Sequence, residues 1–411
     1  MQHKWMNDQY RSSAMALIRL ISGALNSRDP GEMPTSETEL EQILQIAESN
    51  DVEGIAFCAL KYISNPVRGT FYERMKSSWA KTCYRQLCFD REREEILQDM
   101  EKCGLSYLPL KGITLSEYYP EPGMRFMADN DILYGFTEIS ESGNVRLRGV
   151  GEEERNKYAE QASEKLYDIM TSRGYSLFEA DEGVHDTFHK RPFFNFEMHR
   201  ELVSKTNSRK YYYADPWSRA LSEGECGLRF RFRCEDEYIY NIIHALKHMD
   251  SNGYGIRFFA DIYVFLKSKG ENMDRDYIDK ELELLGLVSF EKKIRDIAVT
   301  AFDMPELLTA EQREELFFHM GCGAFGNAET RANILLDKLE SENNSGSVKF
   351  HYIKSRLFIP GNVAESAFPK LYKSRLLRPL IPVYRVMSAV IMRPKVVIAE
   401  IRALLSYHKD R

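Results

Sequence analysis

Leu108-Pro-Leu-Lys-Gly-Ile-Thr-Leu-Ser-Glu-Tyr-Tyr-Pro-Glu-Pro-Gly-Met-Arg-Phe-Met-Ala-Asp-Asn-Asp-Ile-Leu133 is the stretch on which the reading of the fold turns. The apolar run Leu105 to Leu110 reads as a short strand. Lys111 and Gly112 follow, then a helical turn, then a loop set by Pro120, Pro122 and Gly123. Met127 to Tyr134 reads as a second strand carrying two acids. Side chains alternate along a strand, so Asp129 and Asp131 share a face. Two acids that close repel each other and raise the pKa of at least one. A strand that keeps both needs a cation beside them. Mg²⁺ suits the position, because it is hard, prefers oxygen and is held by one or two carboxylates plus substrate phosphates.

Phosphate chemistry also needs donors for the charge on the phosphates. Gly112 lets a phosphate approach the backbone, and the helical turn after it offers N–H groups. Lys111 and Arg125 are candidate phosphate contacts. A third acid on an adjacent strand would complete a two-metal site, which activates an attacking oxygen and stabilises leaving pyrophosphate. Glu197, within Phe193 to His199, is the candidate. His199 lies on the same strand face as Glu197. It orients Glu197, contacts a phosphate, acts as a base, or is simply a satisfied structural histidine.

Outward from this segment the chain is helical on both sides. Ser36 and Glu39 have capping-box spacing ahead of Leu40, Ile43, Leu44 and Ile46. A long helix is expected over 70–103, closed by Gly104, and another over 152–173, closed by Gly174. Residues 135–151 read as a loop or small hairpin, and Tyr175 to Phe178 as a strand. From Glu235 the pattern is helical again, to about Leu339, and 341–347 reads as a turn or linker. The expected fold is α+β: an N-terminal helical region over 1–104, a small mixed-sheet palm over 105–205, a helical domain over 206–340 and a basic helical tail over 341–411.

Composition narrows the class. The 411 residues are 43% apolar and 29% charged, an ordinary globular balance, with a formal charge of -6. That charge argues against binding long nucleic acid by bulk attraction. Seven cysteines without paired spacing read as free thiols. The first ten residues lack an apolar signal region, and no apolar run is long enough to span a bilayer, so a cytoplasmic location is expected. Residues 349–411 carry thirteen Lys or Arg against three acids, about +10, leaving about -16 for the rest. Such a stripe faces an acidic partner, an anionic lipid surface or the acidic body of the chain itself. Arg385 and Arg393 interrupt the apolar stretch over 380–401, which therefore reads as an amphipathic helix.

The run 108–133 resembles the uncharacterised bacterial nucleotidyltransferase-like family of the DNA polymerase β-type nucleotidyltransferase superfamily. The likeness lies in an apolar strand, Lys-Gly, a Tyr-Pro turn, an Arg, then Asp-x-Asp. Phe196 to His199 is similar to that family's Glu-x-His strand, and 243–248 with 256–262 to its helical His and Arg-x-x-x-Asp segments. The resemblance implies Asp129, Asp131 and Glu197 as metal ligands, with Lys111 and Arg125 contacting nucleotide or acceptor.

His244 and His248, four apart on a helix with Asp261 beyond, would suit a metal-dependent phosphohydrolase or a pocket wall. Arg257 and Asp261 have the spacing of an i,i+4 pair. The residues 321–326 match G-x-G-x-x-G in form but follow a helix, so a helix-connecting turn is expected. The expected activity is transfer of a nucleoside monophosphate from an NTP to an acceptor hydroxyl with Mg²⁺ or Mn²⁺. The helical regions would build the pocket of a small-molecule or protein acceptor. The rivals are a non-catalytic binding protein of the same fold and the His-based phosphohydrolase.

Overall fold

A computed structural model of the chain describes residues 7–407 except 65–66, 141–143, 181–183, 204–208, 225, 252–253, 325, 327, 329–331, 334, 337–338, 341–346, 360–367 and 375–376. Most of the expected linker at 341–347 lies outside the described residues.

Helices α1 (Asp8–Asn26), α2 (Glu37–Asn50), α3 (Glu53–Ala59) and α4 (Thr70–Lys102) come first. Asn7 caps α1 by accepting the N–H of Tyr10. Ser36 is the N-cap residue of α2, but its side chain makes no capping hydrogen bond, so the capping box expected there does not form. Glu37 and Glu39 instead set negative charge against the helix N-terminus. Helix α4 runs 33 residues and stops just before Gly104, whose φ of +72° ends the helical path.

The central region contains β1 (Ser106–Pro109), α5 (Gly112–Ser116), β2 (Asn130–Gly135), the hairpin β3 (Thr137–Ile139) and β4 (Val145–Leu147), α6 (Gly151–Ser172), β5 (Ser176–Ala180), β6 (His185–Lys190) and β7 (Phe194–His199). Two further strands, β8 (Ala220–Glu223) and β9 (Arg229–Phe232), lie within the span expected to be helical and join the same sheet. The seven-stranded mixed sheet has the order β5-β6-β7-β2-β1-β9-β8. Strand β2 lies at its centre, antiparallel to β1 and parallel to β7. It starts at Asn130, so Asp129 sits at its mouth rather than within it. Just ahead of it, Arg85 Nε and Nη2 donate to the carbonyls of Met127 and Ala128 at 2.6 and 2.8 Å.

Alternation sorts the sheet into two faces. Ile132, Tyr134, Phe196 and Met198 join the core formed with Phe89, Ile96 and Met100 of α4 and Leu166 and Met170 of α6. Leu108 and Leu133 join the larger core, made by α1 to α3 with the helices that follow the sheet. Asp131 and Glu197, one residue out of phase with Ile132 and Met198, therefore face the second layer.

That layer consists of α7 (Cys234–Ser251), α8 (Ile256–Lys269), α9 (Arg275–Leu285), α10 (Val288–Asp303) and α11 (Ala310–Cys322). Buried Asn50 ties three elements together: Nδ2 donates to the carbonyl of Met320 at 2.9 Å, and Oδ1 accepts the N–H of Ile256 at 3.0 Å. The chain ends in α12 (Val348–Leu357), α13 (Pro369–Lys373), α14 (Ile381–Met392) and α15 (Pro394–Ser406). The single helix expected over 380–401 is two, because Pro394 cannot donate an N–H and starts a new helix.

Candidate active site

Parallel pairing of β2 with β7 sets Asp131 directly across from Glu197. Both point away from α4 and α6 into a cavity of about 360 Å³. Lys111, Gly112, Arg125 and Asp129 line the same cavity. His199 stands behind Asp131 and is not part of the lining.

Asp131 is buried, and two donors meet on one of its oxygens. Lys111 Nζ lies 2.6 Å from Oδ1 and His199 Nε2 lies 2.9 Å from it. Burial alone would raise the pKa of Asp131, but the Lys111 ammonium and the His199 hydrogen bond drive it far below the usual carboxylate range. Its neighbours move the other way. Burial, then the charge of Asp131, push Asp129 up to about 6. Burial, then Asp131 and Asp129, push Glu197 up to about 8. One acid is thus firmly ionised while two are poised to hold or release a proton near neutrality. Burial lowers His199 to about 4, so its ring is neutral, and its buried Nδ1 has no partner among the described residues. A neutral ring with Nε2 against a carboxylate carries its proton there and donates to Asp131.

Local backbone explains how Lys111 reaches Asp131. Lys111 has φ +47°, a conformation costly for a side chain with a Cβ, and it caps the short helix α5. The turn is braced by Arg125. Its Nε and Nη2 form a bidentate pair with Asp261 of α8 at 2.7 and 3.0 Å, and Nη1 donates to the carbonyl of Gly112 at 3.3 Å. Tyr119 OH donates to the same Asp261 at 2.8 Å. A Cβ at Gly112 would meet Arg125 Nη1 at 2.8 Å, so only glycine fits without displacing the guanidinium. Arg125 therefore acts on the cavity through Asp261 and Gly112.

The opposite wall is helical. Asn241, His244, Lys247 and His248 of α7 face the acids, with Arg257 and Phe258 from the first turn of α8. His244 and His248 share a 3.0 Å contact between their Nε2 atoms. Burial and the Lys111 charge depress both, His248 to about 4, so the pair is neutral. Arg257 and Asp261 do not pair with each other as their spacing predicts. Arg257 Nη1 donates to Asp51 Oδ2 at 3.1 Å, and Asp261 is taken by Arg125 and Tyr119. Asp261, the acid that the phosphohydrolase reading joined to the His pair, is held instead by Arg125 and Tyr119. Among the described residues, the ligand atoms that converge within 4.8 Å belong to Asp131, Glu197 and His199.

The three acids, Lys111 and Gly112 thus line one cavity, and His185 joins them there. It sits opposite His199 in the β6–β7 pairing, with Nε2 3.9 Å from Glu197 Oε2. Period-2 spacing back across the Pro192 turn was the available signal. Gly321 and Cys322 still belong to α11, and the helix ends at Gly323 with φ +76°; the N–H of Ala324 donates to the carbonyl of Ser49, and residue 325 lies outside the described residues.

A family model described as an uncharacterised nucleotidyltransferase matches residues 36–142 and 158–303. The first segment carries Lys111, Gly112, Arg125, Asp129 and Asp131; the second carries Glu197, His199, the His pair and Asp261. No curated protein and no solved structure matches the chain.

Proposed function

Since the chain belongs to this uncharacterised nucleotidyltransferase family, we propose that it transfers a nucleoside monophosphate from an NTP to an acceptor hydroxyl on a small molecule or a protein. The observation that carries the reading is the pairing of Asp131 with Glu197 across two parallel strands, with Asp129 at the strand mouth beside them.

The donor set fits a hard divalent cation. Carboxylate oxygens predominate, two of the acids have raised pKa values that a cation would relieve, and all three acids line the cavity. Asp129, Asp131 and Glu197 would hold Mg²⁺ or Mn²⁺, which supplies positive charge to the phosphate oxygens and the attacking oxygen. Lys111 and His199 keep Asp131 ionised and fixed in rotamer. Lys111 and Gly112 border the triphosphate. Glu197 is more exposed than Asp131 and His199 and is assigned the proton of the acceptor hydroxyl. In the balanced step the acceptor oxygen bonds to the α-phosphorus, the bond to pyrophosphate breaks, and the hydroxyl proton passes to the Glu197 carboxylate. The α7–α8 wall holds the acceptor.

Incubation with each labelled NTP, Mg²⁺ and cell extract tests the reading. Label should enter a product with the wild-type chain and not with Asp131→Asn. Product from both, or from neither, removes the transferase assignment.

A further inference from the structure

Helix α14 is built inside out. Its inward side carries Ile381, half-buried Arg385, Ser388 and Ala389, and Arg385 Nη1 is buried with no partner among the described residues. Its outward side carries Val383, Met387, Val390 and Ile391, which are 51–74% exposed. These positions follow i, i+4, i+7 and i+8 spacing, so they form one stripe. Helix α15 continues the pattern. Ala403 is fully buried against Val348 and Tyr352 of α12, while Ile398, Ile401 and Leu405 face solvent. A globular helix buries such a stripe; a chain that exposes one along two consecutive helices presents a surface to something apolar.

Charge identifies the occupant. The segment from 349 onward carries thirteen Lys or Arg against three acids. One of those acids, Glu400, is bound by Arg356 from α12. Arg378, Arg393 and Arg402 stand exposed beside the apolar stripe. A lipid interface offers phosphate to the arginines and acyl chains to the valines, isoleucines and methionines. Among the described residues no helix is long and apolar enough to cross a membrane, so the pair would lie in the plane of the surface. The region lies beyond residue 303, where the family match ends, so it is separable from the cavity chemistry.

We propose that α14 and α15 dock the chain on an anionic lipid surface, with Val383, Met387, Ile391, Ile398 and Leu405 entering the interface and Arg378, Arg393 and Arg402 meeting headgroup phosphates.

Sedimentation of the full chain with phosphatidylcholine vesicles containing about 30% phosphatidylglycerol tests this, against pure phosphatidylcholine. Binding should favour the anionic vesicles and weaken as salt rises. The double variant Met387→Asp/Ile391→Asp should abolish it. Arg393→Glu/Arg402→Glu should weaken it by about tenfold or more. All four positions are exposed, so circular dichroism of both variants should match the wild type. Absence of binding to the anionic vesicles overturns the proposal, as does equal binding to both vesicle types. Self-association without lipid that Met387→Asp/Ile391→Asp abolishes would assign the stripe to a second copy instead.

Discussion

Asp131 accepts from Lys111 and His199 on the same oxygen, and the cost of crowding three acids falls on Asp129 and Glu197. Their raised values fix a sign. A cation binds the ionised forms, so it must displace protons from groups titrating near 6 and 8. Apparent Mn²⁺ affinity should therefore rise from pH 6 to pH 8. Calorimetry in buffers of different ionisation enthalpy should show proton release at pH 7; affinity flat across that range would contradict the linkage. Arg125 permits a second test. Arg125→Ala leaves Asp261 charged and buried, which should cost about 3–5 kcal/mol in urea unfolding. Arg125→Lys should recover only part, since an ammonium cannot make the bidentate pair. At this scale the sequence was informative where period-2 alternation applied: Glu197 and His199 share a face by arithmetic alone, whereas Asp131 joins them only through the β2–β7 register. Arg125 was legible as a cation close to the acids in sequence but not as the partner of Asp261, which lies 136 residues away.

Helix ends show where local pattern succeeds and where it does not. The Ser36 and Glu39 spacing predicts a capping box that is absent, whereas Thr309 and Gln312 form one at the start of α11. Ser36→Ala should thus change stability by less than about 0.5 kcal/mol, and Thr309→Ala should cost about 1 kcal/mol, read from urea midpoints. Equal losses would mean the two ends are capped alike. Helix α3 supplies a sharper case. A Cβ on Gly54 would stand 1.9 Å from the carbonyl oxygen of Gly123, so Gly54→Ala must push α3 off the loop that leads into β2. It should destabilise by about 1–3 kcal/mol or more, although alanine favours helix. The elements themselves were largely readable: β1, β2, β7, α4 and α6 follow from periodicity and Gly or Pro punctuation. Strands β8 and β9 were not. Arg229 and Arg231 alternate with Phe230 and Phe232 over only four residues, too short a run to stand out between helices.

The cavity lies between two layers that are far apart in the chain, and that is why the whole molecule was least legible. The sheet contributes acids and α7 with α8 contributes imidazole, amide and cation, yet nothing local announces that His244 faces Asp131. A ligand that touches both walls should stabilise both. Mg²⁺ with the preferred NTP should raise the thermal midpoint, by the equivalent of about 2.7 kcal/mol at a hundredfold excess over Kd. Asp131→Asn should lose most of that shift. The pairing of Asp131 with Glu197 has one more consequence, in time rather than space. A ribosome releases Asp129 and Asp131 well before Glu197, and the α8 wall later still. A stalled or truncated chain therefore presents Asp129 and Asp131 without the carboxylate that faces them across the sheet. The cavity is complete only once the late-made α7 and α8 stand over the early-made strands.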